Sequence, residues 1–244
     1  MHKHVYIVGL AGLLVALVSV ILAAMAVSGY REGDLHFATA IQDFELAAYF
    51  AVAALVLSLI GAWLTRPATR QRGFVPAVLG VILALPLVAF IVNFEYAARA
   101  YPPINDITTD TDNPPDFWDV SNPAVYPGEK AARLQREGYP DLQPLYVALD
   151  SDEAFALAAE AARAMGWEIV AENEMDKQIE AVDTTFLFGF KDNIVIRVEE
   201  EQDQSRIDVR SQSRLGRIDR GVNAKRIQHY LNSLEQQAQQ KKSG

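Results

Sequence analysis

The sequence predicts two fold classes in one chain. Three transmembrane α-helices come first, followed by an α+β soluble domain with a four-stranded antiparallel sheet and two packing helices. Three observations predict this. Three long uncharged apolar runs lie within the first 95 residues. Eight of the eleven prolines fall between Pro102 and Pro144. After Pro144 the apolar pattern changes from helical spacing to alternation and back. The domain boundaries follow: 1–95 membrane region, 96–144 proline-rich extended strap, 145–237 α+β domain, 238–244 polar tail.

The charges are distributed unevenly. Residues 1–95 carry five Lys/Arg and five Asp/Glu, and the rest of the chain carries 17 and 26, for a net charge of −9. A uniformly soluble globule is excluded. The overall acidity argues against nucleic acid as a partner. Cysteine is absent, which excludes disulfides, thiolate metal sites and cysteine nucleophiles.

Residues 5–30, 46–65 and 74–94 contain no charged side chain. A helix crossing the hydrocarbon core needs about 20 apolar residues, and all three runs qualify. Interfacial aromatics bracket them: Tyr6 and Tyr30, Tyr49 and Trp63, Phe74 and Tyr96. Pro76 and Pro86 bend the third run, and Gly80 with Ala84 offers a small-residue packing face. Ala24-Met25-Ala26 has the form of a signal-peptidase site, but the run before it exceeds a signal peptide's apolar region, so the first helix is expected to stay uncleaved. The loop containing Arg66, Arg70 and Arg72 has no acid. The loop at 31–45 has one Arg against Glu32, Asp34, Asp43 and Glu45. With Lys3 near the start, this places the N-terminus in the cytoplasm and everything after Phe94 on the other side.

Pro102-Pro103 and Pro114-Pro115 enforce extended backbone in the strap. Phe117, Trp118, Val120 and Tyr126 are its expected anchors on the domain surface. Only 128–138 within it has a helical pattern. Asp150 with Glu153 forms a capping box, followed by Phe155, Ala158, Ala162 and Met165 at helical spacing, and Gly166 ends that helix. Strands are expected at 167–171, 178–186, 190–198 and 205–214. In the third, Phe190, Asp192, Ile194, Ile196 and Val198 share a face. In the fourth, Ile207 and Val209 point inward, and Arg206, Asp208, Arg210 and Arg214 outward. The last two strands form a hairpin across a polar turn. A final helix over 222–237 buries Val222, Ile227, Tyr230, Leu231 and Leu234.

Several blocks carry a family resemblance. They are Ile179-Glu180-Ala181-Val182-Asp183-Thr184-Thr185-Phe186, Phe190-Lys191-Asp192-Asn193, Ile207-Asp208-Val209-Arg210-Ser211 and Gly221-Val222-Asn223-Ala224-Lys225-Arg226-Ile227. With the entry segment Pro102-Pro103-Ile104-Asn105-Asp106-Ile107-Thr108-Thr109-Asp110, they resemble the domain of unknown function 1499 family across 102–234. The resemblance implies a bacterial envelope protein with a membrane anchor ahead of the domain, and it implies no particular reaction. Relatives often have His where this chain has Asn105, a departure that weakens any metal or acid–base role for the strap.

Three groups of residues are candidates for chemistry. The strap acids Asp106, Asp110, Asp112 and Asp116 begin like a calcium loop, but Pro114 stands where a ligand is needed and no distal Glu follows in register. An Asp/Thr turn bonding its own backbone explains them better, so no metal is expected. The basic run Arg206, Arg210, Arg214, Arg217, Arg220, Lys225 and Arg226 leads into the last helix, whose N-terminus favours an anion. Arg210, Arg214, Arg217, Arg220 and Lys225 are the candidate anion-binding residues. Asp219 competes with that role by capping the helix itself. Internal pairing is the other reading, because residues 150–203 hold 15 acids against four basic residues, with Glu180, Glu199 and Asp183 as partners. Asp183, Thr185 and Asp192 form a candidate polar cluster, either catalytic or a buried hydrogen-bonded structure. No His lies in a triad-like context.

The expected function is a non-enzymatic envelope binding or assembly module, with no cofactor, in the bacterial inner membrane. Its domain would be periplasmic, and its partners the lipid bilayer and an envelope protein or anionic lipid. The alternative is an enzyme acting on an envelope substrate through Asp183, Asp192 and the arginine cluster.

Overall fold

The computed structural model describes residues 4–69 and 72–243. Lys3 and Arg70, two charges of the orientation argument, lie outside them. The chain divides into two compact units, Met1–Tyr96 and Ala97–Gly244.

The first unit contains α1 (Val5–Arg31), α2 (Phe37–Leu64) and most of α3 (Phe74–Ala100). Each helix is long and apolar enough to cross a membrane. α2 starts before its apolar run, with the His36 side chain accepting from the Ala38 amide at 3.3 Å. Small residues let the helices approach closely. A Cβ on Gly12 would meet the backbone nitrogen of Ser58 at 2.7 Å, and Ala16, Ala51, Ala54 and Ala84 are buried together. Close packing of this kind associates helices where lipid and side chains are equally apolar. Ser19 donates to the carbonyl of Ala47 at 2.7 Å.

The second unit is an antiparallel sheet in the order β1-β6-β5-β4-β3, with β2 also on β6. β1 is Asp106–Thr108, β2 Leu145–Val147, β3 Glu168–Asn173, β4 Gln178–Thr184, β5 Lys191–Glu201 and β6 Gln204–Ser213. The sheet therefore has six strands where four are expected. The two extra strands have three residues each, too short to show alternation, and they lie end to end along one edge of β6. One of them is part of the strap, which also contains α4 (Glu129–Gly138).

α5 (Ser151–Ala164) and α6 (Val222–Ser243) cover one face of the sheet. Asp150 caps α5, accepting from the Glu153 amide at 2.8 Å, and Gly166 follows at φ +78°. Ile179, Ala181, Ile194, Ile196, Ile207 and Val209 meet Phe155, Ala158, Ala162, Ile227, Tyr230 and Leu234 in the core. Tyr230 stacks on Trp167 at 5.0 Å and donates to the carbonyl of Ala158. α6 continues to Ser243 through the expected tail, because Gln, Lys and Ala favour helix. Val222, expected inside, is 45% exposed.

The opposite face differs from expectation. Arg206, Asp208, Arg210 and Arg214 do point away from the helices, but that face is not open to solvent. The strap lies on it, and Asp208 and Arg210 are fully buried. Phe117 and Val120 pack on Val182 and Val195 as anchors. Trp118, also expected as an anchor, is 54% exposed.

Candidate functional site

Two buried polar networks and an open cleft hold some of the residues singled out by the sequence. The first network fastens the strap. Arg210 donates through Nε and Nη2 to both carboxylate oxygens of Asp106, at 2.9 and 2.8 Å. It also donates to the strap carbonyls of Pro115 and Ala124, at 2.9 and 2.8 Å. Its guanidinium lies over the rings of Phe117 and Tyr126. Fork geometry and a flat cation let one side chain tie β1, β6 and two strap segments together. Burial raises the Asp106 carboxyl above its ordinary value, against the pull of Arg210, and pushes the Tyr126 hydroxyl up to about 12.

Glu180 is also buried, and its carboxylate accepts from the backbone amides of Trp118, Asp119 and Val120 at 2.5, 2.9 and 2.8 Å. It is not the arginine partner expected from the sequence. Asp208 takes that role, bonding Arg197 at 3.0 Å and Arg206 at 3.2 Å and accepting from Thr109. Asp110 accepts from the amides of Asp112 and Asn113 and from Arg206 at 2.6 Å. Burial would raise its carboxyl, but those amides and Arg206 hold it below its ordinary value. The strap acids thus form a self-bonded turn and ion pairs.

The second network lies beneath α6. Asp183 and Asp192 are register neighbours on β4 and β5. Arg226 bonds both, each at 2.7 Å, and also Ser211 and Asn223. Burial raises the Asp192 carboxyl, with Arg226 opposing. Thr185, expected in this cluster, belongs instead to the β4–β5 loop, where its hydroxyl accepts from the Phe190 amide. Arg226 completes the cluster; the sequence places it in the basic run but not with Asp183 and Asp192. A signal for it exists: Asn223, Arg226, Ile227 and Tyr230 follow helical spacing and form one buried stripe.

The five candidate anion-binding residues are dispersed. Arg210 is inside the strap network. The Arg214 Nε donates to Asn193 at 2.7 Å. Lys225 lies 4.7 Å from the Tyr101 ring. Arg220 is half-buried and Arg217 exposed. Asp219 occupies the α6 N-terminus, accepting from the amides of Gly221 and Asn223 at 2.9 and 2.7 Å. Burial raises its carboxyl. The helix end is therefore closed to an external anion.

The cleft is elsewhere, with a volume of about 210 Å³. Pro103, Ile104, Pro127, Ala131 and Leu134 give it apolar walls, Lys130 and Arg217 are its two cations, and Asn105 and Asp106, the latter paired with Arg210, complete the lining. Both are exposed, and no ion-pair partner for either occurs among the described residues. No local pattern in the sequence joins them, because one lies on α4 and the other after β6.

A family model described as a protein of unknown function (DUF1499) matches residues 106–234. The match covers the sheet, α4, α5 and most of α6 and leaves out α1–α3. No curated protein matches the chain.

Proposed function

Because the chain belongs to the DUF1499 family of proteins of unknown function, there is no reaction to transfer, and we propose a function from the geometry itself. The protein is a membrane-anchored envelope module. It binds without catalysis, and its soluble domain takes an anionic, phosphate- or carboxylate-bearing group between Lys130 and Arg217.

One observation carries this reading: the buried charges are paired within the domain. Arg210, Arg226, Glu180 and Asp208 each meet their partners on neighbouring elements. Enzyme chemistry through Asp183, Asp192 and the arginines would need one of those groups presented to a substrate. Asp192 is 4% exposed and bonded to Arg226 beneath α6, and Asp183, with its side chain 30% exposed, is held by the same Arg226. The cations of the cleft are the opposite case, exposed beside apolar walls. The three apolar helices support membrane insertion. The loop charges support a cytoplasmic N-terminus and a periplasmic domain in the inner membrane, with an envelope protein or anionic lipid as source of the anionic group.

The test is calorimetric titration of the full chain, in neutral detergent, with glycerol phosphate across a salt series. Binding should weaken with salt. Lys130→Ala and Arg217→Ala should each cost about 0.2–1 kcal/mol of binding, the range for an exposed ion pair, with an unchanged unfolding midpoint. Equal binding by the double variant would refute the assignment.

A further inference from the structure

The sheet has two unlike ends. At one, the chain arrives from α3, since Asp106 opens β1 and pairs with Gln212 near the end of β6. The β4–β5 loop and the β6–α6 loop lie at this same end, because Thr184 pairs with Lys191, and Asp192 with Ser213. The opposite end holds the β3–β4 and β5–β6 turns.

Charge separates them. The β5–β6 turn is flanked by Glu199, Glu200, Glu201 and Asp203, and the β3–β4 turn contains Glu174 and Asp176 with Lys177. The entry end has Lys191, Arg217 and Lys225 exposed, with Arg214 and Arg220 half-buried. Its acids are drawn inward: Asp106, Asp192 and Asp219 are buried and bonded, and Asp183 is held by Arg226. Glu168 at the start of β3 is exposed there, as are Glu137 and Asp141 where α4 ends beside Pro102 and Tyr101. A basic end on a chain of net charge −9 is a local feature that overall composition hides.

Apolar side chains project from the same end. Phe186 is 95% exposed, and Leu215, Ile218 and Val222 are 41%, 42% and 45% exposed. Phe186 is not on a loose loop. The Thr185 amide donates to the Phe190 carbonyl, the Gly189 amide to the Thr185 carbonyl, and Phe188 stacks on Phe190 at 4.9 Å. The loop holds an aromatic ring in solvent on a fixed base, so little conformational freedom is left to lose on contact.

The chain also limits how far this end stands from the bilayer. The apolar run of α3 stops at Phe94, and the helix continues to Ala100. Six helical residues rise about 9 Å, and the six steps from Ala100 to Asp106 span at most about 20 Å. The acidic end is a strand length farther along the sheet, about 35 Å for the eleven residues of β5.

We propose that this end of the domain rests on the bilayer surface, with Phe186 of the β4–β5 loop and Leu215 and Ile218 of the β6–α6 loop seated at the headgroup–acyl boundary and the surrounding Lys and Arg on anionic headgroups. Apolar tips among basic residues match the chemistry of interfacial binding. The proposal rests on the reading of the chain as membrane-anchored, and it identifies the lipid surface as the anionic partner of this end.

The chain lacks cysteine, so single sites can be spin-labelled in the full-length protein. Phe186→Cys, Ile218→Cys, Met175→Cys and Leu85→Cys variants would be labelled in nanodiscs of phosphatidylcholine with phosphatidylglycerol. The ratio of collisions with oxygen to those with a soluble nickel chelate is then measured. All four parent side chains are exposed, so the substitutions spare the core. The proposal expects position 85 to report the hydrocarbon interior, and positions 186 and 218 to exceed position 175 several-fold. Removing phosphatidylglycerol or adding salt should lower 186 and 218 toward 175. If 186 and 218 match 175 while 85 reports lipid, bilayer contact is overturned in favour of a protein partner. If lipid charge has no effect, the role of the basic residues is overturned. An aqueous signal at 85 refutes membrane anchoring itself.

Discussion

Arg210 shows how one residue can be legible in kind and illegible in role. Alternation along β6 puts it opposite the core, which is correct. It cannot say that Asp106, 104 positions earlier, folds back to meet it. Removing one member of a buried pair leaves the other charge unpaired, at a cost of about 3–5 kcal/mol. Arg210→Met should therefore lower the unfolding midpoint strongly, and adding Asp106→Asn should recover part of the loss. Circular dichroism during thermal unfolding of the full chain reads both. Asp192 makes a prediction in pH. Its carboxyl is raised by burial, so the folded state holds the proton more tightly than the unfolded one. Its contribution is complete below the ordinary carboxylate value of 3.8 and fades as pH rises through the folded value. Asp192→Asn should flatten the decline of the midpoint with rising pH across that window. An unchanged slope would place the raised carboxyls at Asp106 and Asp219 alone. Asp110, lowered by its amides and Arg206, acts in the other direction: its contribution is lost as pH falls through its folded value.

At the scale of elements, Glu180 decides whether the strap stays down. Three strap amides converge on its carboxylate. Hydrogen bonds to a charged group are each worth about 1.5–3 kcal/mol net, and Glu180→Gln weakens all three together. Limited proteolysis should then cut within 109–127 well before the helix-covered core opens. Equal protection of strap and core in the variant would show that Phe117 and Val120 hold it unaided. The long elements were readable because their apolar periods repeat: α1–α3, α5, α6 and the four longer strands all occur close to their expected positions. β1 and β2 were not, because three residues show no period and both exist only as additions to the edge of β6. The self-bonded turn at Asp110 was readable from Asp and Thr spacing. The Lys130–Arg217 cleft was not, because it forms only when α4 and the β6–α6 loop meet.

For the whole molecule, three apolar helices precede a domain whose buried charged groups are paired with one another, and whose chain-entry end carries Lys191, Arg217 and Lys225 exposed. Function in such a protein depends on which side of the membrane the domain occupies. Arg66 and Arg72 face no acid in their loop, whereas Glu32, Asp34, Asp43 and Glu45 dominate the other, and the proposed orientation rests on this asymmetry. The most direct measurement uses the absence of native cysteine. Met175→Cys, on the exposed β3–β4 turn, and Ala68→Cys, in the loop between α2 and α3, are each treated with a membrane-impermeant maleimide in cells with a permeabilised outer membrane and an intact inner one. The prediction is that position 175 is modified in intact cells and position 68 only after lysis. Modification of 68 but not 175 in intact cells would put the domain in the cytoplasm and contradict the reading of an envelope module.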